Sequence, residues 1–159
     1  MTAVEITLRP VVSEDDDFLL SVYAGTRAQE MAMVPWTSEQ KDSFVRMQFT
    51  AQKQHYAAQF PGANHDLICV QGTPVGRLYL DRGTDALHIL DITVLPDFRN
   101  RGTGGEILRR IMEEGRESGR AVSINVENFN PSLRLFERLG FQRAEEVGFQ
   151  LLMKWQPAN

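Results

Sequence analysis

The stretch "PDFRNRGTGGEIL", residues 96–108, joins a strand-like run to a run with helical spacing. Gly102, Gly104 and Gly105 sit in it just after Arg99 and Arg101. Such a segment reads either as a plain loop entering a helix or as a cradle for phosphates. Backbone N–H groups at a helix start lack intrahelical partners, and the helix dipole favours an anion there. Glycine lets the main chain approach closely and adopt positive φ. Two well-known phosphate loops do not fit. A Walker A loop needs a lysine after its glycines, and none follows here. The third glycine of a G-x-G-x-x-G fingerprint is replaced by Ile107.

Working outward, "DLICVQ", "PVGRLYLD" and "ALHILDITVL" predict three strands that turn at "GT" and "RGTD". Before them, "VEITLRP" predicts a short strand. The segments "SEDD" (13–16) and "TSEQ" (37–40) predict capping boxes opening two helices. The first helix carries Phe18, Leu19, Val22 and Tyr23 and runs to about Gln29. The second carries Val45, Phe49 and Tyr56 and ends before Pro61. After the glycine loop, Ile107, Leu108, Ile111 and Met112 predict a helix that ends near Gly119. "AVSINV" predicts a strand. "NPSLRLFERLG" predicts a short helix with Pro131 in its first turn and Gly140 past its end. Phe149, Leu151, Met153 and Trp155 then alternate as a strand with one buried face. The order predicts one α/β domain over residues 1–159 with a mixed sheet. Its strand–helix–strand unit around the glycine loop is expected to be parallel.

The composition is that of a globular domain, 42% hydrophobic and 24% charged. Seventeen basic against 21 acidic side chains leave −4, so no nucleic-acid partner is expected. Any anionic ligand must meet local positive charge. The single cysteine, Cys69, lies in the apolar run "LICV" and reads as an inert core thiol. A cytoplasmic protein is expected, with no signal peptide and no membrane partner, since no run approaches the ~20 apolar residues of a spanning helix. No metal site is expected.

The loop together with "NVENFNPSLRLFERLGF" resembles the GNAT acetyltransferase superfamily. Arg99-x-x-Gly102-x-Gly104 matches its Q/R-x-x-G-x-G/A loop between strand and helix. Asn130-Pro131-Ser132, Leu135-Phe136 and Gly140-Phe141 match its later asparagine, Leu-Tyr and Gly-Phe positions. The resemblance extends over the chain and implies a twisted, mostly antiparallel mixed sheet flanked by helices. It implies acetyl-coenzyme A as donor and an amine as acceptor. The loop residues Arg99, Asn100, Arg101, Gly102, Thr103, Gly104 and Gly105 would then bind the pyrophosphate. Ile92 and Val94 would offer backbone groups to the pantetheine arm, and one N–H there would face the thioester oxygen. Asn130 would bind that arm, or cap the following helix, or both. Phe136 would stand at the cofactor where the family often has a tyrosine as general acid, and it cannot donate a proton.

For the base, Asp91 and His88 are the candidates on the strand before the loop, each with a structural or surface reading beside it. Asp91 lies in an apolar run and needs a partner. Glu127 reads as a solvated charge. The resemblance also implies an acceptor region shaped by the first two helices and their connection, around Glu30, Met31, Met33, Trp36, Phe44, Gln48, Gln52, His55 and Tyr56, whose apolar members read mostly as core. The alternative to an enzyme is a catalytically impaired domain that binds coenzyme A or acyl-coenzyme A, a reading favoured by Phe136. The last strand could pair with a second copy to form a homodimer.

Overall fold

The computed structural model describes residues 4–128 and 130–157. Strand β1 (Ile6–Pro10) leads through a 3₁₀ turn, Ser13–Asp15, into α1 (Asp16–Ala32) and α2 (Ser38–Gln59). A meander follows: β2 (Asn64–Val70), β3 (Thr73–Arg82) and β4 (Ala86–Val94). A second 3₁₀ turn, Pro96–Phe98, precedes α3 (Thr103–Ser118). Then come β5 (Ala121–Glu127), α4 (Leu133–Arg138), β6 (Gln142–Val147) and β7 (Gln150–Trp155). The seven strands form one sheet in the order β1-β2-β3-β4-β5-β7-β6. β4 and β5 pair in parallel, and every other described pairing is antiparallel.

The sheet carries a core on each face. Ile107, Leu108, Ile111 and Met112 of α3 pack on Leu78, Leu87, Ile89 and Val122. On the other face Leu19 and Tyr23 of α1 and Val45 and Phe49 of α2 cover Leu67 and Cys69. Cys69 is thus a buried thiol. Among the described residues no helix is long and apolar enough to cross a membrane.

Local chemistry explains most boundaries. Thr37 accepts from the Gln40 amide while the Gln40 side chain accepts from the Thr37 amide, the expected reciprocal cap. The box expected at Ser13 is built differently. The Asp15 carboxylate accepts from the Val12 amide at 2.8 Å and from Arg9, because the chain makes a 3₁₀ turn before α1 begins. Gln71 and Gly72 take positive φ at the tight β2–β3 turn. Pro131 precedes α4 instead of opening it, since Ser132 is the residue at the cap.

Two expectations need correction. The last strand, β7, is flanked by β5 and β6 and has no free edge. The free edge on that side of the sheet is β6, exposed along its whole length and charged at Arg143, Glu145 and Glu146. Met33 (88% exposed) and Trp36 (41%) are not core, because the α1–α2 connection carries them off the sheet.

Candidate functional site

The parallel pairing of β4 and β5 is short. It runs from Ala86↔Ala121 to Ile89↔Ile124 and stops. β4 continues to Val94 and β5 to Glu127, so the two strands part and leave a wedge between them.

The orientation of β4 inside that wedge follows from its register with β3. In an antiparallel pair, opposite residues alternate between exchanging hydrogen bonds and pointing away. Leu95 N donates to Val75 O at 2.8 Å, which sets the phase. Two and four residues along, Thr93 with Arg77 and Asp91 with Tyr79 keep that phase. Ile92 and Val94 between them direct N–H and C=O away from β3, towards the space that β5 has left. Their side chains pack on the α3 core. The expected pair of backbone contributors therefore lines the wedge.

Below them the register shifts. Tyr79 lies opposite Asp91 but Leu80 lies opposite Ile89, so Leu90 is an extra residue, a β-bulge. The Tyr56 hydroxyl of α2 donates to the Leu90 carbonyl at 3.1 Å.

The glycine loop sits just past β4. Gly102, with φ +80°, is the cap residue of α3, and Asn100 also has positive φ (+62°). Gly104 and Gly105 are helical, so the left-handed geometry expected of the loop glycines falls on Asn100 and Gly102. No side chain caps α3. Thr37 shields the start of α2; the start of α3 offers its first-turn N–H groups bare. A methyl built at Gly104 would meet nothing within 4 Å. Arg99 Nε donates to Val94 O at 2.9 Å, tying the loop to the wedge, and the Arg101 guanidinium lies over Phe98. The bare N–H groups, the open face at Gly104 and the exposed arginines fit a pyrophosphate. Thr103 is buried in the same turn. Arg109 was not among the expected residues. A methyl at Gly105 would lie 3.6 Å from its guanidinium, so it is a third cation at the cradle. Its place one helical turn after Gly105 was the available signal.

The face of β4 opposite α3 carries the polar groups. Burial holds His88 below the ordinary imidazole range, against the pull of Asp81. Its Nδ1 shares a 2.7 Å hydrogen bond with Ser123 Oγ, and Asn125 Nδ2 lies 3.5 Å from Nε2. It is not a plain surface histidine. Asp91 is held by Arg77 (Nε to Oδ2, 2.7 Å) and by the Thr93 hydroxyl (2.6 Å). Gln52 of α2 accepts from Arg77 Nη2 at 2.6 Å. The partner that Asp91 required is therefore Arg77, only 3% exposed.

α1 crosses the open end of the wedge. A methyl at Gly25 would lie 3.4 Å from Pro96 on the β4 side, and Arg27 lies 3.9 Å from Glu127 on the β5 side. Glu127 is thus paired as well as solvated. On the α3 side, Asn130 Oδ1 accepts from Ser132 N at 2.8 Å, a turn just before α4, whose cap residue is Ser132 and not Asn130. Phe136 is buried, edge-on to Phe141 at 5.6 Å.

The sequence model of the Acetyltransferase (GNAT) family matches residues 26–141. An uncharacterized N-acetyltransferase of Methanocaldococcus jannaschii is 32% identical over 91 residues, which are 50% of this chain and 40% of that protein. The chain thus spans about two fifths of that curated relative. The crystal structure of PaiA N-acetyltransferase from Thermoplasma acidophilum, in complex with coenzyme A, superposes with a TM-score of 0.73 at 16% identity, covering 96% of this chain and 99% of that one. An acetyltransferase from Thermus thermophilus gives 0.69 at 20% identity, covering 98% and 99%. At such identities the likeness is one of fold.

Proposed function

The chain belongs to the Acetyltransferase (GNAT) family, and from that membership we propose that it transfers an acetyl group to a primary amine of a small molecule, a peptide or a protein. The observation that carries the reading is the wedge, with the outward main-chain groups of Ile92 and Val94 leading to an uncapped helix ringed by arginines.

Acetyl-coenzyme A, when bound, supplies the activated acetyl thioester. The first turn of α3, with Arg99, Arg101 and Arg109, holds and neutralises the phosphates. The outward main-chain groups of Ile92 and Val94 would receive the pantetheine arm, and one of their N–H groups would face the thioester oxygen and stabilise charge there. Asn130, its Oδ1 engaged by Ser132 N, keeps its amide nitrogen for the arm. The amine approaches from the α2 face, opposite α3. His88 stands on that face near the apex of the wedge and, kept neutral by burial, takes the proton. Asp91 is the other candidate base. Its engagement with Arg77 and Thr93 suits it better to orienting than to proton transfer. Phe136 donates no proton. A thiol with a cysteine-like pKa of ~8.5 would need no strong acid to depart, so the Phe136 ring would serve as packing. The lone buried thiol and the net charge of −4 support a cytoplasmic, single-domain enzyme without a nucleic-acid partner.

The test is thiol release from acetyl-coenzyme A with a panel of primary amines, beside calorimetry with coenzyme A. The expected result is salt-sensitive binding and turnover with at least one amine class. Tight binding with no turnover on any amine would make the protein a binding module.

A further inference from the structure

Between α1, α2 and the β2–β3 part of the sheet lies a cavity of about 300 Å³. His65, Arg77 and Tyr79 form its floor, Phe49 and Tyr56 its wall, and Lys53 part of its rim. No residue of β4 or β5 lines it, so it is separate from the wedge.

Its chemistry is uneven. Arg77 is almost wholly buried. Its Nε and Nη2 are taken by Asp91 and Gln52, but Nη1 has no hydrogen-bond partner among the described residues. His65 Nε2, in the same floor, is buried with no hydrogen-bond partner among the described residues; such an atom costs free energy, and the cavity beside it has room for a partner. Lys53 brings a second cation. It holds Asp16 at 3.1 Å in an exposed pair, a kind that exchanges partners at little cost. His65 reports the sign of the field. Burial pushes its pKa down to about 4, and the strongest neighbouring charge, Arg77, pushes the same way ahead of the opposing Asp91. Val11, Leu19, Phe49 and Tyr56 give the cavity an apolar side, the His65 and Tyr79 rings stack at 4.2 Å in its floor, and Ser13 and Asp16 also line it.

We propose that this cavity binds a small organic anion with a ring-sized apolar body. The carboxylate meets Arg77 Nη1 and Lys53. The body lies on the stacked His65 and Tyr79 rings, against Phe49 and Tyr56. The proposal stands apart from the acetyl-transfer reading. Occupancy would reach the wedge through two existing bonds, Arg77 to Asp91 and Tyr56 to Leu90.

Benzoate is the probe and benzamide its uncharged counterpart, titrated into the full chain by calorimetry and amide NMR. Benzoate should bind with a Kd of about 1 mM, with shifts centred on Phe49, Lys53, Tyr56 and His65. Benzamide should bind roughly tenfold more weakly, lacking the charge. Lys53→Gln should weaken benzoate about fivefold. Ala57→Phe, at a position that lines the cavity from α2, should abolish binding. Both variants should keep wild-type thermal midpoints and coenzyme A affinity. If Ala57→Phe misfolds, Lys53→Gln and the benzamide comparison still decide. Equal binding of the two probes, shifts centred on Ile92 and Val94, or no benzoate binding at about tenfold the expected Kd would each overturn the proposal.

Discussion

The Tyr56 hydroxyl donates to the carbonyl of Leu90, the one residue by which β4 outnumbers β3. The bulge changes the phase of the strand. Before it, Leu87 and Ile89 point their main-chain groups at β5; after it, Ile92 and Val94 point theirs into the space that β5 has left. Tyr56→Phe should leave the Leu90 carbonyl unpaired and cost about 1 kcal/mol in urea unfolding. It should lower kcat while coenzyme A affinity holds. Unchanged kcat would mean that the bulge needs no support from α2.

Gly76 faces Val94 across the β3–β4 ladder, and a methyl there would run into the Thr93 carbonyl and lie 2.9 Å from Val94 Cα. Real contacts do not come so close, so β4 must shift. Gly76→Ala should destabilise the fold by about 1–3 kcal/mol and weaken coenzyme A, because the displaced strand lines the wedge. Denaturant unfolding with calorimetry checks both.

The loop glycines should separate two effects. Gly102→Ala forces a side chain into φ +80° and should cost about 1 kcal/mol of stability. Gly104→Ala meets no strain and no neighbour, so stability should hold. Coenzyme A affinity should fall all the same, as the methyl covers the open face of the cradle. Arg109→Gln should weaken binding and flatten its salt dependence. Wild-type affinity in folded Gly104→Ala would sink the phosphate-cradle reading.

As the proposed base, His88 would act only when neutral. Because burial lowers its pKa below the ordinary value of about 6.5, turnover should persist below that pH and fall only through the depressed value. His88→Gln should lose ~10²–10⁴-fold in kcat, abolish that acid limb and leave coenzyme A affinity intact. A loss below threefold would return His88 to a structural role.

His65 ties stability to pH. Its folded pKa of about 4 lies below the unfolded value of about 6.5, so the unfolded chain binds the extra proton between them. The contribution is complete above about pH 6.5 and is lost as pH falls towards 4. His65→Phe keeps a ring over Tyr79 without the titration. Its thermal midpoint should vary less across that window than that of the wild type.

The meander and the long helices were legible because their residues bury one face. Leu151, Met153 and Trp155 alternate into the core as their spacing predicts. β6 was not legible. "QRAEEV" is exposed on both faces, carries no apolar period, and is placed only by its pairing with β7. The need of Asp91 for a partner could be read from its apolar setting. The partner could not, because Gln52, Arg77 and Asp91 are joined by the packing of α2 over the β3–β4 register and by no local period. The glycine loop was read in its position and charge, while the residues with positive φ depended on where the first helical turn began.

The sheet's parallel seam is only four residue pairs long, from Ala86↔Ala121 to Ile89↔Ile124. It joins a half of four strands, β1 to β4, to a half of three, β5 to β7. Laterally this is the sheet's thinnest suture, and subglobal opening should begin there, with early hydrogen exchange at residues 121–124. A ligand lodged between the parted strands would grip both halves. It would act as a removable stitch, adding about 2.7 kcal/mol at a hundredfold excess over its Kd. The free protein is then a looser object than the loaded one, and coenzyme A would govern its lifetime as well as its chemistry.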